Sequence, residues 1–330
     1  MKTLLLIDGT NFFFRGSWGT GGYPNKNGHD MTYLYAFIRN FCALVRQFER
    51  PGEEVKTVIC WDGGYDKRTE LSRAAVSQGI VPKEYKQVRR ENHALKTPEQ
   101  LRDGEDFKYC LQKAQELLRH TRFSQCLIPG EEADDAVGSW CRQSLGQYDE
   151  IVVVTSDRDY YQLLFDGVKI YNPIRKEWLD RGVLERDYGL KDAYQWVEVG
   201  ALAGDDGDTI YGVPGIGTKT AARLIAQYGS IQGIYDFAEK RWAEQIGREG
   251  AARFTASVRD GSYRPTPSKE AKVLAYREVI ALALELKAMH LDLPLQEEQG
   301  APDWRALEAL EMSEGVRIPQ GCMDVFMARR

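Results

Sequence analysis

Three short apolar runs that each end on an aspartate constrain the fold of this 330-residue chain more than any other feature. They read Leu4-Leu5-Leu6-Ile7 into Asp8, Val58-Ile59-Cys60-Trp61 into Asp62, and Ile151-Val152-Val153-Val154-Thr155-Ser156 into Asp157, with Asp159 two residues further on. Between the second and third, Glu132-Ala133-Asp134-Asp135 opens a helix. The carboxyl ends of parallel strands share one edge of the sheet, where open α/β folds bind their ligands, so these acids are expected to converge. Converging carboxylates repel one another and stay ionised only beside a cation. The pattern predicts a polynuclear Mg²⁺ or Mn²⁺ site.

Length and composition set the frame. The chain is longer than one typical domain, and 43% of its residues are hydrophobic, enough for a sizeable core. Cys42, Cys60, Cys110, Cys126, Cys141 and Cys322 form no CxxC pair, so reduced core thiols are expected rather than disulfides or a zinc site. The start, Met1-Lys2-Thr3 and then apolar residues, imitates a signal peptide, but Asp8 cuts the run short. No stretch is long enough to span a bilayer, so a cytoplasmic protein is expected. The net charge of −5 argues at first against a polyanionic partner. Setting aside the carboxylates assigned below to metal reverses the sign, so the placement of positive charge matters more than its sum.

Apolar residues from Leu34 to Phe48 recur with a period of 3.6 and predict a helix over 31–49, followed by a strand over 55–61. The stretch 66–96 loses the apolar stripe and turns basic: Lys67, Arg68, Arg73, Lys83, Lys86, Arg89 and Arg90 outnumber Asp66, Glu70 and Glu84. Thr97-Pro98-Glu99-Gln100 combines a capping box with proline at the first helical position and starts a helix reaching about 119. A strand near 124–128 then leads to the acidic helix. There Ala133, Ala136, Val137, Trp140 and Cys141 form the buried face, Asp135 points away from it, and Glu132 and Asp134 flank it. Acids are favoured at helix N-termini in any case, but three beside three strand-end aspartates favour a metal site. Strand–helix alternation over 1–190 predicts a doubly wound, mostly parallel sheet, and after Asp192 the strands are expected to cease.

A helix on about 193–203 ends at Gly204, and Gly204 to Ala221 is the most specific segment of the chain. Gly215-Ile216-Gly217-Thr218-Lys219 reads as a helix–hairpin–helix turn. Its glycines let the backbone approach a phosphate, the next helix presents unpaired N–H groups, and Lys219 adds a charge. None of these groups reads a base edge, so binding should be indifferent to sequence. Asp205 and Asp208, just upstream, offer two further metal ligands.

These stretches, in this order, resemble the 5′-nuclease family that includes flap endonucleases, bacteriophage 5′–3′ exonucleases and the nuclease domain of bacterial DNA polymerase I. The matching segments are Asp8-Gly9-Thr10-Asn11 with Arg15, Trp61-Asp62-Gly63, Glu132 to Asp135, Thr155 to Leu164, and Gly204 to Ala221; they cover residues 1 to about 240. The resemblance implies a PIN-like α/β nuclease domain over 1–190 with an arch-like basic insert at 66–96, and a helical region with the helix–hairpin–helix turn over 191–330. It implies one metal ion held by Asp8, Asp62 and the Glu132/Asp134 group and a second by Asp135, Asp157, Asp159, Asp205 and Asp208, with several of the nine acting through water. Lys86, Arg15, Asp8 and Asp157 are the expected catalytic residues. Arg68, Arg73, Arg89 and Arg90 would meet phosphates, Tyr85 would stack on a base, and Gly215, Gly217 and Lys219 would grip the duplex, with K⁺ as a candidate ion at that turn.

The implied activity is 5′–3′ exonuclease and flap endonuclease cleavage of DNA, with RNA primers as a further candidate substrate, in replication, repair or recombination. It would leave a 5′-phosphate and a 3′-hydroxyl. The implied partner is DNA with a free 5′ end or 5′ flap, and the chain is expected to act as a monomer, in the host cytoplasm if it comes from a phage. Two rival readings differ in one feature each. A PIN-type ribonuclease would lack the Gly215–Lys219 turn, and a catalytically silent junction-binding protein would have lost metal ligands. His29, His93, His120 and His290 adjoin none of the motifs, so no histidine-based hydrolase is legible. Phe12-Phe13-Phe14 is read as packing, with Trp18 and Tyr23 bordering a DNA entrance. Residues 240–330 are expected to be largely helical, with Val279, Leu282, Leu286 and Met289 on one face, to pack against the helix–hairpin–helix region and to extend the duplex-binding surface, except beyond 296, where acids accumulate and DNA contact is not expected.

Overall fold

In the computed structural model the three apolar runs lie side by side at the centre of one seven-stranded sheet. Residues 1–16, 22–49, 52–264 and 266–327 are described, apart from the side chains at 15, 16, 248 and 249. The strands are β1 (Lys2–Asp8), β2 (Glu54–Trp61), β3 (Ser124–Leu127), β4 (Glu150–Val154), β5 (Val168–Asn172), β6 (Glu177–Leu179) and β7 (Glu297–Gln299), in the spatial order β6-β5-β4-β1-β2-β3-β7. The inner five are parallel, and β6 and β7 close the two edges antiparallel.

The unbroken apolar character of β1 follows from burial on both faces. Leu4 and Leu6 belong to one core and Leu5 and Ile7 to the other, all four without exposed surface. Each contributes on the order of 1.5–3 kcal/mol through burial. The first core is covered by the helices Ala133–Ser144, Gln195–Ala203, Thr218–Tyr228 and Arg277–Lys287. The second lies under Thr32–Phe48, Pro98–Arg119, Trp304–Glu314 and Gln320–Met327. Because β1 sits between β2 and β4, the chain winds away from it in opposite directions, and the crevice of a doubly wound fold opens beyond the carboxyl ends of β1 and β4. The doubly wound, mostly parallel sheet is as the sequence predicts, and the Thr97 capping box forms with Gln100.

Two expectations are corrected. Strands do not cease at Asp192, since β7 pairs with β3 far downstream. Nor does the end of the chain pack against the helix–hairpin–helix region: Leu307, Leu310, Val316, Ile318, Met323 and Phe326 cover the second core, and Phe326 packs beside Phe41 and Phe123. Buried Glu314 fixes this return by accepting from Asn25 Nδ2 at 3.0 Å and from the Tyr109 hydroxyl at 2.7 Å. All six cysteines are buried free thiols, and no described helix is long and apolar enough to cross a membrane.

Candidate active site

The strand-end acids gather because the loops that carry them are pinned to one another. Gly63 follows Asp62, and a Cβ on it would stand 2.1 Å from the Ile128 carbonyl oxygen, so only glycine lets the loop after β2 lie against the loop after β3. The Gly63 N–H donates to Glu131 O and the Gly130 N–H to Gly63 O, both at 2.9 Å. That seam sets Asp62 over the N-terminus of the acidic helix, where its Oδ1 accepts from the Ala133 N–H at 2.8 Å. Asp8 accepts from the Asn11 N–H at 3.0 Å and from the Tyr160 hydroxyl at 2.8 Å. Asp157 caps the short helix Arg158–Leu163 by accepting from the Asp159 N–H at 3.0 Å, which presents Tyr160 toward β1.

The result is a cleft of about 450 Å³ lined by Asp8, Asp62, Glu132, Asp134, Asp157, Asp159 and Asp208. Burial, and then repulsion from Asp62, pushes Asp8 up to about 7. Asp134 lies well above the usual carboxylate range through burial and the charge of Asp135, and its Oδ1 is buried without a hydrogen-bond partner. Burial also raises Asp159 and Asp208. Burial works the same way on Asp205, but the Lys287 ammonium overcomes it and holds that acid below the usual range. A site short of positive charge, with an unpaired buried carboxylate oxygen, fits a divalent cation.

The cations present lie on the wall facing the sheet edge. Lys86 is bonded to Glu132 Oε1, with the rings of Tyr65 and Tyr85 each 5.0 Å from its Nζ. Its backbone is left-handed, with φ 54°, as is that of Thr209, with φ 59°. Such conformations cost on the order of 1–3 kcal/mol each. They flank a clasp between the basic insert and the 205–209 loop: Lys86 N–H to Asp208 O at 2.7 Å, Val88 N–H to Thr209 Oγ1 at 3.2 Å, and Arg89 Nε to Gly207 O at 2.9 Å. Arg89 Nη2 also stands 2.7 Å from Asp208 Oδ1 as an ion pair.

Of the other expected residues, several are placed differently. Asp135 has no exposed surface and no open oxygen, because Arg68 binds both and the His290 N–H adds 2.8 Å to Oδ1. A helical wheel puts it away from the buried face, but the helix Asp66–Ser77 brings Arg68 over that side. Arg68 is itself buried, donating to Glu132 and to the carbonyls of Leu286 and Ala288, so it is not available to a phosphate. Tyr85 is buried too, with its hydroxyl on Glu132 at 2.7 Å, and offers no face for stacking. Ala75, Val81 and Tyr85 join the first core, so the basic insert is docked there as far as Tyr85, whereas the helix Gln87–Ala94 after it buries no residue. Arg73 and Arg90 are exposed and both pair with Glu84. The Arg15 side chain and Trp18 lie outside the described residues; Tyr23 is exposed against Tyr35. Phe12 and Phe13 pack inside, whereas Phe14 is exposed and lines the cleft.

At the turn, Gly215 has φ +80°, Gly217 caps the helix Thr218–Tyr228, Ile216 anchors the loop in the core and Lys219 is exposed. Sequence reasoning missed Lys272, whose Nζ donates to Pro214 O at 3.3 Å, and Lys287, whose Nζ lies 2.7 Å from Asp159 and 3.0 Å from Asp205. No local signal marks Lys287, since its partners are 128 and 82 positions away. His290, read as remote from every motif, meets buried Glu131 at 3.0 Å, and Lys67 binds the other Glu131 oxygen.

Two family descriptions match in chain order: "5'-3' exonuclease, N-terminal resolvase-like domain" over residues 3–189 and "5'-3' exonuclease, C-terminal SAM fold" over 192–308. The chain is 29% identical over 311 residues to a thermostable DNA polymerase I of Thermus thermophilus, an alignment that takes in 93% of this chain and 31% of the polymerase. It therefore spans about a third of that relative. It is 32% identical over 200 residues to a 5'-3' exonuclease of Streptomyces coelicolor, 57% of this chain and 58% of that one. Its fold is similar to that of the bacteriophage T5 flap endonuclease in a complex with DNA and metal ions, with a TM-score of 0.64, 22% identity and coverage of 98% and 97%. With both halves matched in order and the acids gathered at the switch point of the sheet, the chain belongs to the 5′–3′ exonuclease family.

Proposed function

We propose that this protein is a structure-specific nuclease that cuts DNA phosphodiesters near a free or flapped 5′ end with the help of Mg²⁺ or Mn²⁺. The observation that carries the reading is the convergence of seven carboxylates, from segments up to 200 positions apart, in one cleft beside a half-buried lysine. Asp8, Asp62, Asp134 and Asp157 would hold one divalent ion, with Glu132 beside it already met by Lys86, Arg68 and Tyr85, and Asp159, Asp205 and Asp208 a second. Bound there, a pair of divalent ions supplies an activated water and charge stabilisation for in-line displacement at phosphorus.

The chain's own groups supply the rest. Tyr160 and the Asn11 N–H fix the rotamer of Asp8, so the acid presents the same geometry before and after a substrate arrives. Lys86 lies where an ammonium can meet charge developing on a phosphate, and its partner Glu132 keeps it protonated. The Gly215–Lys219 turn offers N–H groups and a cation to a duplex phosphate without reading bases. K⁺ at that turn belongs to the same reading, and to take the Pro214 carbonyl it would have to displace the Lys272 ammonium.

The deciding experiment gives the protein a 5′-end-labelled flap, a nicked duplex and a blunt duplex with Mg²⁺, and repeats each with a chelator. Release of a short flap oligonucleotide that stops on chelation is expected. Degradation from the 3′ end, or cutting that survives the chelator, would overturn the reading.

A further inference from the structure

Lys287 brings a cation into the acidic cleft from a part of the chain that carries no recognisable motif. It is the last residue of the helix Arg277–Lys287, its side chain is 8% exposed, and its Nζ touches Asp159 Oδ2 and Asp205 Oδ2. The placement is built from two sides. Gly200, on the facing helix, leaves room for it: a Cβ there would stand 3.0 Å from Lys287 Cε. Gln162 donates to the carbonyls of both Asp159 and Lys287, at 3.0 and 3.1 Å, and accepts from the Met289 N–H at 2.9 Å. One amide therefore fixes both the turn that carries the acid and the helix end that carries the ammonium.

Asp159, Asp205 and Asp208 each have an oxygen within 4.8 Å of the others, close enough to share one ion. Lys287 occupies two of them, and Arg89 faces the third. A divalent ion drawing oxygens to about 2.0–2.6 Å cannot share both carboxylate oxygens with an ammonium already seated between them, and like charges there repel.

We propose that Lys287 is a built-in counter-ion that positions Asp159 and Asp205 in the free protein and competes with a divalent cation for them, so this half of the cleft loads its ion weakly. The inference rests on the nuclease reading of the cleft but concerns only how its second half is filled.

The test titrates the full chain with Mn²⁺ alone and follows free Mn²⁺ by electron paramagnetic resonance. The wild type is expected to take one ion tightly and a second far more weakly. Lys287→Met keeps the length and removes the charge. Its second ion should bind about tenfold or more tighter, because no ammonium has to be displaced. In a chelator the variant should also melt lower than the wild type and gain more from added Mn²⁺. Gly200→Ala, which crowds only the flexible end of Lys287, should tighten the same site and keeps the test open if Lys287→Met folds poorly. Second-site binding unchanged or weakened in both variants, while the wild type cuts the flap, sinks the lysine inference alone. No Mn²⁺ bound by any of the proteins, with the flap uncut, sinks both readings.

Discussion

Arg68 binds both carboxylate oxygens of Asp135, its Nη1 on Oδ2 and its Nη2 2.8 Å from Oδ1, and both partners are buried. A third contact, to Glu132 at 3.0 Å, ties this pair to the wall of the cleft. Arg68 is thus part of the scaffold that aims Glu132. Removing it leaves buried carboxylates uncompensated, so Arg68→Ala should cost about 3–5 kcal/mol of stability, read from urea unfolding. An arginine whose role was phosphate contact would instead lose DNA affinity and keep its unfolding midpoint.

Lys86 and Arg68 both line the cleft, but Lys86 is bonded to one oxygen of Glu132, whereas Arg68 closes both oxygens of Asp135. Lys86→Ala should lower single-turnover cleavage about 100-fold and change duplex affinity, measured by fluorescence anisotropy, by no more than about threefold. Equal losses in rate and affinity would assign the lysine to binding.

Lys219 is exposed in the first turn of Thr218–Tyr228, where it can meet a phosphate but no base. Lys219→Ala should weaken binding to duplexes of different sequence alike and flatten the dependence of log affinity on log salt by about one unit. A loss confined to some sequences would contradict a backbone grip.

Asp8 makes the metal-free protein sensitive to pH. Its pKa is raised from 3.8 in the free residue to about 7 in the fold by burial and by Asp62, so the folded state holds its proton more tightly than the unfolded chain. The stabilising contribution is complete below about pH 4 and lost as pH rises through about 7. Asp134, Asp159 and Asp208 shift in the same direction. In a chelator the melting temperature should fall between about pH 5 and pH 8, and Asp8→Asn should flatten that fall. A melting temperature that climbs over the same range would show the carboxylates to be neutralised by the chain's own cations.

Much of the site is legible in the sequence because its parts are local in the chain. A strand that ends on an acid, a glycine that follows it and an acidic first helical turn are each complete within a few residues. Gly63 illustrates the point: the glycine is visible in the sequence, although the Ile128 carbonyl that requires it is not. The misreadings concern the basic insert. Arg68 and Tyr85 look like surface residues because their neighbours in sequence are polar, yet both are buried against Glu132 at the start of the acidic helix, and Arg68 also against the end of Arg277–Lys287.

The strands β1 to β4, the helices between them and the edge where the acids meet are legible in the order of residues alone, since apolar periodicity and strand polarity act over short spans. How the charges are shared is settled by the folded chain: Asp135 belongs to Arg68, Asp159 and Asp205 are met by Lys287, and residues from Glu297 onward return to close the sheet and cover its second core. Electrostatic pairing depends on distance in space, and no period or spacing along the chain records which distant cation will lie beside a given carboxylate.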